Sequence, residues 1–211
     1  MVKVVIFDFD GVLIDSNAIK REAYYQIFAS LDNSRGAISA CLQEEREGDR
    51  YHVIRRILQR LCPQAGEEEV SSYAKNYGII CEARTSTCRE IPGASACLDC
   101  LAGKYDLYIN SATYEDSLRR VVYKRGWDHY FREVLGSPRT KVENLARIMK
   151  CQKVAGQEMV FIGDSQRDLN AAQTCGCHFV GIKNADNDFK AKNLVLLDDL
   201  YTLDKVILEY K

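Results

Sequence analysis

Hydrophobic positions follow two different periods along the chain, one typical of strands and one typical of helices. Residues 2–7 form a short apolar run rich in Val and Ile, which predicts a buried β-strand. The stretch 16–31 then places Ile19, Ala23 and Ile27 at four-residue steps, which predicts an amphipathic helix. A single strand is therefore expected to lead directly into helical chain.

Three further helical patterns follow, at about 37–46, 50–61 and 67–88, and no strand pattern interrupts them before Pro92-Gly93. Beyond that break, predicted helices and strands alternate. Helices are expected near 94–102, 114–125, 140–150, 166–175 and 200–209, and strands near 105–110, 133–136, 159–163, 178–182 and 194–197. Alternation of this kind is typical of a parallel sheet that helices cover on both faces.

The patterns predict an α/β fold, with a doubly wound parallel sheet and an inserted all-helical domain. The core domain is expected at 1–15 and 92–211, and the helical cap domain at 16–91. An insert placed after the first strand starts from the carboxyl end of that strand, where open α/β sheets bind their ligands. The insert is therefore expected to act as a lid.

Composition and charge narrow the class of partner. The 211 residues include 29 Lys and Arg and 30 Asp and Glu, for a formal net charge of −1. This balance gives no overall attraction to nucleic acid or to an anionic membrane. No apolar run approaches the roughly 18 residues of a membrane span, and the run at 4–7 is too short for a signal peptide. We therefore expect a cytoplasmic protein with a small-molecule partner, as a monomer or a homodimer.

Nine cysteines are present, and two groups of them have spacings that metal sites also use. Cys97 and Cys100 form a CxxC pair, and Cys175 and Cys177 precede His178. The first pair falls in a helical pattern, where positions three apart simply share a face. Because no second CxxC lies at the spacing of a zinc finger, thiols acting as small hydrophobic residues are favoured over a zinc or redox site.

Two carboxylates follow the first predicted strand. In an extended chain Asp8 and Asp10 point the same way, and Gly11 permits a sharp turn after them. Close carboxylates repel each other unless a cation or a shared proton relieves them. The pair is either two solvated loop aspartates or a site for a hard metal such as Mg²⁺, with one Asp free to act as a nucleophile.

Other polar groups follow the ends of later predicted strands. Ser111 and Ala112 are expected at the start of a helix, where a hydroxyl and backbone N–H groups can bind an anion. Lys141 follows the short strand near 133–136 and could neutralise phosphate charge. Asp164 directly follows the strand at 159–163, and Asp168 lies one helical turn further on. Each of these residues also has an ordinary structural interpretation. Ser111 could be a helix N-cap, and Lys141 could be a surface lysine. Asp164 and Asp168 could be carboxylates that a helix N-terminus stabilises.

Taken in chain order, these groups resemble the four signature motifs of the haloacid dehalogenase superfamily. The first motif is Asp8-Phe-Asp-Gly-Val-Leu-Ile-Asp-Ser16, the second Ser111, the third Lys141 and the fourth Gly163-Asp-Ser-Gln-Arg-Asp168. The helical insert resembles the cap that many members carry between the first and second motifs. Together the four motifs supply what phosphoryl transfer through an aspartyl-phosphate requires: a carboxylate, a metal and cationic groups.

The resemblance implies a role for each matching residue. Asp8 would be the nucleophile, and Asp10 the general acid and base that also offers its backbone carbonyl to Mg²⁺. Ser111 and Lys141 would bind the phosphoryl group, with Ala112 beside them. Asp164 would ligate the metal, and Asp168 would do so directly or through water.

Details of the motifs also bear on the subfamily. Dehalogenases and phosphonate-cleaving members lack an acid at the position of Asp10, so ester cleavage or phosphoryl transfer is favoured. The related sugar-phosphate mutases carry a His where this chain has Lys20, which argues against a mutase. Thr113 and Val142 depart from common residues of the family but remove no catalytic group. Taken together, the motifs and the helical insert resemble those of phosphoglycolate phosphatases and their relatives.

One residue of the insert is a candidate for substrate recognition. Arg50 follows Gly48-Asp49 in a local cluster of arginines and resembles the arginine in the cap specificity loop of sugar-phosphate and glycolate-phosphate enzymes. It would contact an anionic or polar substrate tail; the alternative is an exposed helix arginine.

We therefore expect a Mg²⁺-dependent phosphatase of a small phosphorylated metabolite. Two alternatives stay open: a phosphosugar mutase or phosphotransferase on the same scaffold, and a non-catalytic binding protein of the same fold.

Overall fold

The computed structural model describes residues 1–44, 49–184, 189–191 and 193–210. Its strands are β1 (Val4–Phe7), β2 (Asp106–Tyr114), β3 (Phe131–Ser137), β4 (Met159–Gly163), β5 (His178–Ile182) and β6 (Val195–Leu197). Its helices are α1 (Asn17–Ile27), α2 (Ser34–Glu44), α3 (Arg50–Leu61), α4 (Glu67–Thr85), α5 (Ala94–Leu101), α6 (Glu115–Lys124), α7 (Lys141–Gln152), α8 (Gln166–Cys175) and α9 (Leu203–Glu209).

The six strands form one parallel sheet in the order β3-β2-β1-β4-β5-β6. The central strand β1 is buried on both faces because its side chains alternate between two cores. Val5 and Phe7 pack into the core that α5, α6 and α9 cover. Val4 and Ile6 pack into the opposite core, beneath α7 and α8. Helices on both faces confirm the predicted doubly wound α/β fold.

The chain divides into two compact units. The core unit comprises Met1–Ser16 and Cys88–Lys211, and the helical unit comprises Asn17–Thr87. In the helical unit α1 to α4 surround their own hydrophobic core, which includes Ala23, Phe28, Ile38 and Ile57. Within the described residues, no helix of either unit combines the length and apolar character that crossing a membrane requires.

The largest departure from the predicted elements concerns Ser111. The strand expected to end near residue 110 continues to Tyr114, so the helix begins at Glu115, close to its expected start near 114, and Ser111 does not open it. The pairing of β2 with β3 shifts register between Asn110 and Tyr114, and Tyr114 then pairs with Ser137. Ser111 and Ala112 therefore lie in an irregular strand end, and the predicted helix start at this point is wrong.

Smaller departures occur in the helical unit. α1 ends at Ile27 and α2 begins at Ser34, because the chain turns between them and Asn33 has a φ of 56°. α4 ends at Thr85, where the Thr85 hydroxyl donates to the Cys81 carbonyl and completes the last turn. The predicted helix over 37–46 extends to residues 45 and 46, which lie outside the described residues.

Candidate active site

The sheet brings the sequence motifs together because their strands are neighbours. Asp8 follows β1, and its backbone N–H donates to the Ile162 carbonyl of β4 over 2.8 Å. Asp164 follows β4, Ser111 lies near the end of β2, and Lys141 opens α7 just beyond β3. Since the carboxyl ends of parallel strands meet at one edge of the sheet, side chains separated by 133 residues in sequence come into contact there.

Three carboxylates form a compact cluster at this edge. One oxygen from each of Asp8, Asp164 and Asp168 lies within 4.8 Å of the others. The three residues are 6%, 9% and 0% exposed, so water screens their charges poorly. Gly163 makes the cluster possible, because a Cβ at this position would lie only 2.3 Å from the Cβ of Asp168.

Lys141 provides the positive charge that faces the cluster. Its Nζ lies 2.7 Å from Asp8 Oδ2 and also donates to Asp168 Oδ1. Burial lowers the pKa of this lysine, but the charges of Asp168 and Asp8 outweigh burial and hold it above its ordinary value. Lys141 is therefore cationic and fixed between two carboxylates.

The helix that carries Lys141 is anchored at its first turn. Thr140 is the N-cap, and its hydroxyl accepts from the N–H of Glu143, whose carboxylate accepts from the Thr140 N–H in return. This capping box makes Lys141 the first helical residue and directs its side chain from a fixed point.

The electrostatics of Asp8 are unusual for a carboxyl group. Burial raises its pKa from 3.8 to about 7; Lys141 opposes this shift, while the charges of Asp168, Asp164 and Asp10 add to it. Asp8 Oδ1 accepts from the N–H of Phe9 over 2.6 Å, which fixes the carboxylate plane. The ionised form of Asp8 thus requires more positive charge than Lys141 alone supplies.

Asp10 has a separate environment. Its Oδ1 accepts from the Ser16 hydroxyl over 2.6 Å, and its Oδ2 accepts from the Thr113 hydroxyl over 2.9 Å. Gly11, with a φ of 77°, makes the turn that follows. The Asp10 carboxylate lies outside the group of three, so a contact with a metal would involve its backbone carbonyl, as the family resemblance implies.

The two acids of the fourth motif also serve the local structure. Asp168 Oδ2 accepts from both the hydroxyl and the N–H of Ser165, the N-cap of α8. Asp164 Oδ2 accepts from the side-chain amide of Asn184 over 2.8 Å. Asp168 therefore both stabilises the start of α8 through Oδ2 and accepts from Lys141 through Oδ1.

Ser111 lies near the end of β2, the strand that neighbours β1 in the sheet. It is 2% exposed, and its Oγ accepts from the N–H of Thr113 over 3.1 Å. Ala112 is exposed on the irregular end of β2. The hydroxyl of Ser111 is thus oriented by a local turn within the strand end, instead of by the helix start that the sequence favoured.

Arg50 belongs to the helical unit, at the first position of α3. Asp49 caps this helix by accepting from the N–H of His52 over 2.9 Å. The Arg50 guanidinium lies against Gly78, where a Cβ would approach its Nη1 to 2.5 Å. Arg50 is half-buried; the preceding Gly48 lies outside the described residues.

The other arginines of this cluster form surface ion pairs. Arg55 makes two hydrogen bonds with Glu67, of 2.9 and 2.7 Å, and Arg56 and Arg60 both pair with Glu44. Part of the arginine run is therefore solvated surface.

The cysteines lie outside the acid cluster. All nine fall within the described residues and remain thiols. Burial raises the pKa of Cys97 and of Cys177 to about 12, which favours the unreactive protonated form at neutral pH. This agrees with their expected role as small hydrophobic residues.

Sequence reasoning missed several groups that hold the site. Asn184 donates to Asp164, from which it is 20 residues distant in sequence. Thr113 donates to Asp10, from which it is 103 residues distant in sequence. Thr113 stood out only as a departure from the family pattern. Its position two residues after Ser111 was the one signal that it could reach the same site.

The chemistry of the donor set suits a divalent cation. The cluster has three buried carboxylates and one lysine, so negative charge is in excess. All of the cluster's acidic donors are hard oxygens, which Mg²⁺ prefers over nitrogen or sulfur. The residues present therefore fit the Mg²⁺ that the motifs imply.

A doubly wound parallel sheet, with buried carboxylates and a lysine at the carboxyl ends of its strands, defines the class of protein: an enzyme with a Rossmann-like α/β core. The family model for haloacid dehalogenase-like hydrolases matches residues 5–182, and the chain belongs to this family.

Curated and structural relatives agree with this assignment. A phosphoglycolate phosphatase of Pasteurella multocida is 26% identical over 191 residues, which is 85% of each chain. A structure described as a predicted phosphoglycolate phosphatase from Haemophilus somnus superposes with a TM-score of 0.80, at 20% identity and 98% coverage of each chain. A β-phosphoglucomutase from Clostridium difficile superposes with a TM-score of 0.77, at 19% identity, over 100% of this chain and 97% of that one. The expectation of a phosphatase-type enzyme of this family is confirmed.

Proposed function

We propose that this chain is a Mg²⁺-dependent phosphatase that hydrolyses a small phosphate ester through an aspartyl-phosphate on Asp8. The observation that carries the proposal is the contrast between two nearby carboxylates. Asp8 is paired with Lys141 inside the acid cluster, whereas Asp10 is held apart by two hydroxyl donors. Carboxylates in such different environments can divide the roles of nucleophile and proton carrier.

In the first half-reaction an Asp8 carboxylate oxygen attacks phosphorus, and the bond between phosphorus and the ester oxygen breaks. Asp10, in its protonated form, donates its proton to the departing oxygen and releases an alcohol. Lys141 and Ser111 hold the peripheral phosphoryl oxygens.

In the second half-reaction Asp10, now ionised, accepts a proton from water. That water attacks phosphorus, the bond to Asp8 breaks, and inorganic phosphate leaves. The Ser16 and Thr113 hydroxyls keep the Asp10 carboxylate in one orientation for both proton transfers.

Asp8, Asp164, Asp168 and the backbone carbonyl of Asp10 would hold the metal ion. When bound, Mg²⁺ supplies positive charge that offsets both the carboxylate repulsion and the charge of the phosphoryl group. Lys141 complements it by lowering the pKa of Asp8, which favours the ionised carboxylate.

Phosphoglycolate is the first substrate to test, because the curated relatives carry that name. The alternative with an observation behind it is a phosphosugar mutase, since β-phosphoglucomutases share the fold. Lys20 at the position of the mutase histidine favours hydrolysis. A protein without catalysis is disfavoured because every motif residue is present.

The test is phosphate release from phosphoglycolate, several sugar phosphates and an aryl phosphate, with Mg²⁺ or with EDTA. We expect release that needs Mg²⁺ and is lost in Asp8→Asn, a variant of the same shape without a nucleophilic charge. Isomer exchange among sugar phosphates faster than phosphate release would favour the mutase. No reaction from folded, Mg²⁺-binding protein would contradict the proposal.

A further inference from the structure

Two buried asparagines link the end of β2 to the start of α7. The side-chain amide of Asn144 donates to Asn110 Oδ1 over 3.0 Å, and that of Asn110 donates to the Lys141 backbone carbonyl over 3.0 Å. Both residues are 0% exposed. We refer to these two side chains as the asparagine clamp.

The position of the clamp connects it to the site. Asn110 directly precedes Ser111, and its amide reaches the first residue of α7, whose side chain contacts Asp8 and Asp168. One chain of hydrogen bonds therefore fixes the Ser111 segment against the backbone of Lys141. These are the two residues assigned to the phosphoryl oxygens.

The stability of the folded state does not explain why two polar side chains are buried at this position. Asn144 Oδ1 is buried and accepts no hydrogen bond from the described residues. A buried polar atom without a partner destabilises the folded state, and an apolar side chain of similar size avoids that loss. A polar pair buried at such a position is expected to serve the site.

We propose that Asn110 and Asn144 are positioning residues that hold Lys141 at the correct distance from Ser111 for phosphoryl transfer. Asn144 fixes the orientation of the Asn110 amide, so that its N–H group points at the Lys141 carbonyl. The inference rests on the proposed function, because it assigns the clamp an effect on that reaction.

The test replaces both amides by apolar groups of similar size in Asn110→Leu/Asn144→Leu. We expect an unfolding temperature equal to or above that of the parent protein, because the unpaired oxygen is removed. The kcat for the best substrate should fall roughly 10- to 100-fold with little change in KM, since a misplacement of about 1 Å can reduce a rate about 100-fold. Asn144→Ala serves as the second variant if the double variant does not fold.

A matched control uses another link between the same two elements. Gln152, at the far end of α7, donates to the Tyr108 hydroxyl of β2 over 2.5 Å. Gln152→Leu should leave kcat unchanged. A loss of kcat equal to that of the double variant would overturn the proposal, because any link between α7 and β2 would then suffice.

The decisive readout is a double-mutant cycle with Lys141→Ala. If the clamp acts through Lys141, its removal should lower kcat no further in that background. An unchanged kcat in the parent background, or an equal loss in both backgrounds, would overturn the proposal. Should the parent protein hydrolyse no phosphate ester, the proposed function fails separately. The clamp is then judged by calorimetric binding of orthovanadate with Mg²⁺, which its removal should weaken and which unchanged binding would refute.

Discussion

At the scale of single residues, the site is a balance of buried charge. Asp8, Asp164 and Asp168 face Lys141 in a region that water barely reaches, and the pKa of Asp8 rises to about 7 as a result. Asp10 lies outside this cluster and keeps two hydroxyl donors. Under the proposed function, these different surroundings give the two aspartates two different chemical tasks.

Replacement of Asp10 by Asn should separate the two tasks. We expect kcat to fall about 10²- to 10⁴-fold with an alkyl phosphate, because the alcohol needs a proton to leave. With a nitrophenyl phosphate, whose phenolate leaves unprotonated, a burst of nitrophenol should precede slow turnover in stopped-flow measurements. Equal losses on both substrates, without a burst, would contradict a general-acid role for Asp10.

Arg50 remains a candidate for substrate recognition. If it binds an anionic tail, Arg50→Ala should raise KM for a substrate with a second charge, such as phosphoglycolate, and leave KM for an aryl phosphate unchanged. Arg55→Ala is the control, since Arg55 is paired with Glu67 on the surface. Identical steady-state kinetics for the Arg50 variant and the parent protein would remove Arg50 from the site.

At the scale of elements, the candidate site residues lie where the parallel strands end. Asp8, Lys141 and Asp164 could be predicted because each follows an apolar run that ends abruptly in polar residues. Asn110, Asn144 and Asn184 could not be predicted in the same way. Their partners lie 31, 34 and 20 residues away in sequence, and only the packing of helices on the sheet brings them together.

Gly163, the last residue of β4, packs closely against the side chain of Asp168. In Gly163→Ala the new Cβ would overlap Asp168, so we expect a loss of about 1–3 kcal/mol in the free energy of unfolding. Mg²⁺ affinity should fall as Asp168 is displaced. Gly36→Ala is the control, because Gly36 lies in α2 with nothing within 4 Å of a new Cβ, and it should stabilise by about 0.5–1 kcal/mol. Urea unfolding and Mg²⁺ calorimetry would show both effects; an unperturbed Gly163 variant would contradict this account.

At the scale of the whole molecule, the fold was the most predictable feature and its details the least. Alternating elements after Pro92-Gly93 indicated the doubly wound sheet, and the helical pattern before them indicated an all-helical insert. The end of β2 was misjudged, because Ser111 looks like a helix N-cap and the register shift beside β3 depends on pairing with a distant strand. The local hydrophobic pattern therefore predicted the types of the elements, whereas the pairing of β2 with β3 determined where β2 ends.

Stability of the metal-free protein should depend on pH through Asp8. Its pKa is about 7 in the folded chain against 3.8 as the ordinary value, so the folded state holds a proton that the unfolded state releases between these limits. The contribution of Asp8 to stability is therefore fully present below about pH 4 and is lost as pH rises through 7. Mg²⁺ should restore stability at pH 7 and above. Thermal unfolding of parent protein and Asp8→Asn, with EDTA or Mg²⁺, measures this; the same pH dependence in both proteins would contradict it.

The central claim is that Asp8 carries the phosphoryl group during turnover. The most direct measurement is to quench the reacting enzyme in acid, reduce it with borohydride and sequence its peptides by mass spectrometry. Reduction of an aspartyl-phosphate gives homoserine, which we predict at position 8 only when substrate and Mg²⁺ are both present, and never in Asp8→Asn. Homoserine at another aspartate, or unmodified Asp8 during rapid turnover, would contradict the account.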